Sequence, residues 1–424
     1  MTAIAPALAV ANAVLYEGYL LFPYTASSGK NRVRWQFGVI VPAAYVSENT
    51  GETAEQQTEV LFEAGAGMAA RLRVLLRFLQ VEARRVEERI AETFVPVARL
   101  VAGGTMHLTF DEGVEREVDV SLDLLPGEVR TIAIAIDGGT GAEMVGDASG
   151  GCGGRILRER WPLRGTLSIA CEPVEGVPAL RKIRVRVENG SDVVAGERAG
   201  ALRTAFVSAH VLLAAEDGAF VSVLDPTPEA LAETLRLKNR HVFPVLVGEA
   251  GADERRSRLV LSSPIILYDF PEVAPQTHAD AFDATEIDEL LMLSVLSLPD
   301  SERDEARATD PRARAIVERA EGFGAPELER LHASVSPARD CVFVAGTKVA
   351  KGSAVRLHPK RRADVWDMFL DGKVATVRAI HQDFEDVLYV AVTVDDDPAS
   401  DLHEWYGRSF FFYPEEIEPL GASR

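Results

Sequence analysis

The stretch REVDVSLDLLPGEVRTIAIAID, Arg116 to Asp137, decides the fold class. Its first half puts Val118, Val120, Leu122 and Leu124 on one face and charged or polar residues on the other. Its second half sets Ile132, Ile134 and Ile136 against alanines. A period of two sends successive side chains to opposite faces of a strand, so both halves read as strands with one face buried. Pro126-Gly127 interrupts the extended run between them. Arg181 to Glu188 (RKIRVRVE) repeats the pattern with Ile183, Val185 and Val187 against basic residues. Thr105–Phe110, Thr166–Cys171 and Ala219–Leu224 are weaker examples. Arg71 to Val86 fits two patterns, with Leu72, Leu75, Leu76 and Leu79 at helical spacing and Leu72, Val74, Leu76 and Phe78 at strand spacing. It is read as strand.

Working outward, Leu259 to Leu298 joins a strand (Val260 to Asp269), an extended crossing with Pro271 and Pro275, and a helix from Glu286. Proline removes an N–H and restrains the residue before it, which excludes a helix across the crossing. Ile287, Leu290, Leu291, Ser294, Val295 and Leu298 then follow at helical spacing. A charged helical stretch from Asp300 to Ala320 has a thin stripe at Ile316 and Val317 and reads as mostly solvated. Ala230 to Leu237 reads as a short helix. After about Val342, glycine-separated strands recur at Gly352–Leu357, Gly372–Ile380, Val387–Val394 and Arg408–Tyr413. The expected fold is therefore mainly β (α+β overall). A large antiparallel β-rich sandwich or barrel-like domain spans 1–285, a helical linker 286–335, and a small SH3-like β-barrel 342–424.

Composition bounds the function. A chain of 424 residues supports more than one domain. A net charge of −20 repels polyanions, so neither nucleic acid nor an anionic membrane is an expected partner. No run of about twenty apolar residues occurs, so no membrane span is expected. Cys152, Cys171 and Cys341 lie far apart with no CxxC spacing, which suits a reducing cytoplasm.

Reaction chemistry is thin, and no cofactor is expected. Gly138-Gly139-Thr140-Gly141 follows a strand but lacks GK[ST] and an ensuing helix, so Gly138 to Gly154 reads as a flexible surface loop rather than a phosphate cradle. The histidines are scattered, with no HExxH. His278, Asp280, Asp283, Asp288 and Glu289 offer a site for a metal-dependent enzyme; helix-start charges explain Asp283 and Glu286 equally well. Arg356, His358, Lys360, Arg361 and Arg362 with Trp366 form a basic loop able to stack on RNA, although Asp364, Asp367 and Asp371 oppose it. Val14 to Tyr45 concentrates aromatics beside basic residues. Tyr19, Tyr24, Lys30, Arg32, Arg34 and Trp35 are its candidate partner-binding residues, with Arg356 and Trp366 in the barrel loop. Large rings beside arginine suit an interface hot spot, and they equally suit a first hairpin packed into the sandwich.

LYEGYLLFPYTASSGKNRVRWQFG, LSSPIILYDFPEVAP followed by FDATEIDELLMLSVLSL, ATDPRARAIVERAEG, and VAVTVDDDP with GRSFFFYPEEIEPL resemble an uncharacterised bacterial family. That family occurs in the gene neighbourhoods of NiFe hydrogenases and their maturation proteins. The resemblance spans Leu15 to Leu420. It implies a non-enzymatic accessory role in hydrogenase assembly or maturation, with a hydrogenase subunit or maturation factor as protein partner. It carries over no catalytic residue.

Overall fold

A computed structural model describes residues 4–46, 51–65, 69–146, 151–177, 179–192, 197–251, 253–272, 294–322, 341–344, 347–358, 370, 372–382, 388–394 and 410–420. Two compact units divide the chain, Met1–Gly322 and Phe323–Arg424.

In the first unit the strands are, in chain order, β1 (Glu55–Ala64), β2 (Ala70–Ile90), β3 (Thr93–Val97), β4 (Arg99–Ala102), β5 (Thr105–Leu108), β6 (Phe110–Leu124), β7 (Val129–Ile136), β8 (Gly139–Gly146), β9 (Cys152–Arg160), β10 (Leu163–Pro173), β11 (Leu180–Asn189), β12 (Val207–Ala215), β13 (Gly218–Val221), β14 (Phe243–Val247), β15 (Arg256–Ser257) and β16 (Leu259–Ser263). One antiparallel sheet has the order β15-β13-β1-β11-β10-β7. The other runs β14-β16-β12-β2-β9-β8, with β6 and β3 also paired to β2.

The ambiguous Arg71–Val86 segment is strand. Leu72, Val74, Leu76 and Phe78 face the core and are at most 2% exposed. The 21-residue β2 is the spine, flanked by β12 and β6 along its first half and by β9 and β3 at its end. The stretch Arg116–Asp137 turns out to cross between sheets, since β6 belongs to one and β7 to the other. Gly127 makes the turn at φ +90°, a conformation that side chains with a Cβ avoid. Inward residues of both sheets, among them Phe62, Ile169, Ile183, Phe78, Val211 and Phe206, share one core.

Several expectations are corrected. Within the glycine-rich Gly138–Gly154, Gly139–Gly146 and Cys152–Gly154 belong to the antiparallel pair β8–β9 rather than to a loop, and residues 147–150 lie outside the described residues. Glycine is needed there for close approach, because a Cβ on Gly154 would sit 2.3 Å from the Glu87 carbonyl. The strand after Leu259 ends at Ser263, not Asp269, because Pro264 offers no N–H to the ladder. The N-terminal segment forms no hairpin. Its start is a helix, α1 (Ala5–Tyr16), whose Ala7, Val10, Ala11 and Val14 pack on Leu75, Leu212, Val245 and Leu261. Short helices follow at α2 (Gly29–Arg32), α3 (Arg198–Leu202) and α4 (Leu231–Thr234).

The charged stretch is two helices, α5 (Asp300–Thr309) and α6 (Pro311–Gly322), and both lie within the first unit. They are less solvated than their charge suggests, with Ala306, Thr309, Ala313, Ile316, Val317 and Ala320 buried. Pro311 breaks them, and the Asp310 carboxylate accepts from the Arg312 N–H at 2.7 Å as an N-cap. Most of the expected Glu286–Leu298 helix lies outside the described residues; residues 294–297 are helical and Val295 is buried.

The second unit is a hairpin, β17 (Cys341–Val344) with β18 (Thr347–Ala350), and a five-stranded antiparallel sheet. Its strands are β19 (Ala354–Leu357), β20 (Val374–Gln382), β21 (Leu388–Val394), β22 (Phe410–Phe412) and β23 (Ile417–Pro419), in the order β22-β21-β20-β19-β23. The sheet curls into a half-barrel around Val355, Leu357, Val377, Val390 and Val392. Among the described residues no helix is long and apolar enough to cross a membrane.

Candidate functional site

Most of the aromatic–basic segment is interior. Tyr19 and Tyr24 are fully buried, and Arg34 and Trp35 are 5% and 3% exposed, so they cannot meet a partner. The reason is a polar–aromatic cluster joining the N-terminal segment to β6 and to the α5–α6 junction. The Arg34 guanidinium lies 3.7 Å from the Phe110 ring centre and 4.1 Å from that of Trp35. It donates to the Tyr19 carbonyl at 3.2 Å and to the Asp111 carbonyl. Burial pulls its pKa down to about 10, against the opposing pull of Tyr19, Asp111 and Asp310. Tyr19 donates its hydroxyl to Asp310 at 2.8 Å and accepts from the Gly113 N–H at 3.0 Å. Burial and the Asp310 charge push that phenol well above its ordinary pKa. Arg84 donates to the Thr309 carbonyl at 2.6 Å, capping the end of α5, and pairs with Glu112 at 2.6 Å. The arginines here serve as cross-braces of the fold.

Lys30 and Arg32 remain exposed on α2. Arg356 is half-buried in β19 and donates to the Gly372 carbonyl at 3.1 Å. Trp366, the basic loop beyond His358 and the acidic run from His278 to Glu289 lie outside the described residues. Cys152, Cys171 and Cys341 are free thiols, and burial raises the Cys171 pKa.

The residues that the fold does gather stand at one end of the sandwich. A pocket of about 230 Å³ opens where the start of β1 faces β14 and the end of β16. Phe37, Ile40, Gln56, His241, Phe243 and Pro264 are among its walls. The wall from Gln36 to Ile40 is held by backbone bonds, Ile40 N–H to Phe206 O at 2.9 Å and Ala209 N–H to Gly38 O at 2.8 Å. Gly38, at φ +59°, lies so close to β12 that a Cβ would be 2.9 Å from the Ala209 nitrogen. The reciprocal bonds of Gln57 and Arg240, at 3.1 and 2.9 Å, set His241 beside β1, at the unfavourable φ of +61°. Phe37 and Phe243 stay 41% and 44% exposed. Glu52 also lines the pocket but is paired with Arg198 at 2.7 Å.

Gln56 is the unusual member. It is 2% exposed, and neither its amide nitrogen nor its amide oxygen has a hydrogen-bond partner. It occupies an inward position of β1, the row that continues with Thr58, Val60 and Phe62. Thr58 is satisfied across the sandwich by the Ser262 hydroxyl at 2.5 Å.

Phe37 belongs to the aromatic segment the sequence singles out. Gln56, His241, Phe243 and Pro264 carry no motif, because chain segments far apart in sequence bring them together. A polar residue in an apolar inward row was the one local signal, and the neighbouring Gln57 masks it. No protein-family model, no curated protein and no solved structure matches the chain.

Proposed function

We propose that this chain is a non-enzymatic accessory protein that docks a protein partner on the aromatic-rimmed end of its sandwich. The observation that carries the reading is the exposure of Phe37 and Phe243, 41% and 44%, around a recessed pocket. Large apolar side chains gathered at a concavity are what partner-binding surfaces present. The free edge of β14 is closed to strand addition. Pro244 has no N–H, the outward Leu246 N–H donates to Asp269 at 2.7 Å, and the Leu246 carbonyl accepts from Phe270 at 2.7 Å. The partner therefore engages through side chains. With a net charge of −20 on this chain, its contacting face is neutral or basic. The resemblance to the hydrogenase-associated family makes a NiFe hydrogenase subunit or maturation factor, met in the cytoplasm, the partner to test first.

The experiment measures binding of purified hydrogenase subunits and maturation factors to wild type and to the Phe37→Ala/Phe243→Ala double variant. The reading expects one component to bind and the double variant to lose at least about tenfold in affinity, as truncating an aromatic anchor costs about 2 kcal/mol or more. Its melting temperature should stay close to wild type. Equal affinity for the double variant, or no binding by any component, overturns the proposal.

A further inference from the structure

We infer that the pocket reads a carboxamide, the side chain of an asparagine or glutamine presented by the docking partner, through Gln56. The inference deepens the docking proposal and rests on it for the source of the amide. Its starting point is independent of that proposal: Gln56 is buried to 2% exposure with both amide atoms unpaired. Buried polar groups are nearly always hydrogen-bonded, and an unpaired one penalises the folded state. An amide has one acceptor and two donors, so its best complement is another amide, which returns a donor for the acceptor and an acceptor for a donor. Gln56 has no existing bond to break, so turning its side-chain torsions toward an occupant sacrifices nothing already formed.

The rest of the pocket narrows the class. A volume of about 230 Å³ is below the usual range for drug-sized ligands, about 300–1,000 Å³, and suits a single side chain. Phe37, Ile40, Phe243 and Pro264 supply apolar walls for the aliphatic stem of such a side chain. Glu52, although paired with Arg198, disfavours a carboxylate in the same space. Glutamate is therefore excluded by charge, and methionine, of similar size, by leaving Gln56 unpaired.

The test titrates the full-length protein, labelled with nitrogen-15 at glutamine, with N-acetylglutamine N-methylamide and its glutamate and methionine counterparts. All three share their backbone amides, so differences report the side chain. The Gln56 side-chain resonance is assigned by its absence in Gln56→Leu. The glutamine compound should shift it saturably, with the other two at least about tenfold weaker, since a site built for hydrogen bonds rejects analogues that cannot make them. Read through the side-chain resonance of Gln36 on the pocket wall, Gln56→Leu should bind the glutamine compound no better than the methionine one, while melting at or above the wild-type temperature. Equal shifts from all three compounds, no shift up to their solubility, or wild-type preference in Gln56→Leu overturns the inference. If the amide series fails while Phe37→Ala/Phe243→Ala still weakens partner binding, the docking surface stands and only the amide reading falls.

Discussion

Replacing Arg34 with alanine separates an interior brace from a surface contact. The guanidinium is 5% exposed, stacks on Phe110 and Trp35, and satisfies the Tyr19 and Asp111 carbonyls. Truncation opens a cavity, worth about 2–5 kcal/mol for a large buried side chain. It also forfeits stacking of about 2 kcal/mol for a desolvated cation and strands two acceptors at about 1–3 kcal/mol each. Against this stands relief from holding a buried charge. The lowering of the Arg34 pKa to about 10 by burial corresponds to about 3 kcal/mol. These contributions overlap, and the net loss is about 4 kcal/mol. At about 2 °C per kcal/mol for a unit of this size, the melting temperature should drop by about 8 °C. Differential scanning fluorimetry of the full chain reads it directly, with exposed Arg32→Ala as the control, expected within about 0.5 kcal/mol of wild type. An Arg34→Ala variant that melts within a degree of wild type refutes the brace.

Two further outcomes follow from the fold. His210 is fully buried, its Nδ1–H donating to the Ser208 carbonyl at 2.9 Å while Nε2 has no partner, and burial lowers its pKa to about 4. The unfolded chain takes up that proton near pH 6.5, so stability is intact above that value and falls as pH drops toward 4. The loss, 2.5 pKa units at 1.36 kcal/mol each, is about 3 kcal/mol. Urea titrations across that window should show it, and His210→Gln should flatten the dependence; an equally steep His210→Gln profile assigns the titration elsewhere. A fragment of residues 323–424 should melt cooperatively with a β-type circular dichroism spectrum, because Val349, Val355, Leu357, Ala375, Val377, Val390 and Val392 give it a fully buried core. A non-cooperative fragment contradicts an independent unit.

Strands whose partners lie on one face are legible because alternation records that face, as in Val118–Leu124, Ile132–Ile136 and Ile183–Val187. Arg71–Val86 fits both periods because both of its faces are buried, Leu72, Val74, Leu76 and Phe78 in the sandwich core and Leu75 beneath α1, so the ladders to β12 and β6 rather than burial make it strand. Alternation is silent on which sheet a strand joins, so the crossing from β6 to β7 could not be read. Helix α1 carried its signal at Ala7, Val10, Ala11 and Val14, yet its small alanines dilute the contrast between faces. Gly154 reads as loop because a close approach to a neighbouring strand and a flexible turn call for the same residue. Tyr19, Arg34 and Trp35 were legible as a cluster with chemistry to spend, and misplaced. An arginine–aromatic set serves an interior brace as well as an interface, and only the carbonyls of Tyr19 and Asp111 settle which. The pocket was invisible because Phe37, Gln56, His241 and Phe243 meet only when both sheets are assembled.

The most direct measurement is amide hydrogen exchange of the full chain with and without a purified hydrogenase partner that binds it. The account predicts slowed exchange at Gln36–Ile40 and His241–Phe243, with exposed α2 and the β4–β5 hairpin unchanged. Protection confined to α2, to β4–β5 or to the curled sheet of the second unit, with the pocket walls unaltered, would contradict it.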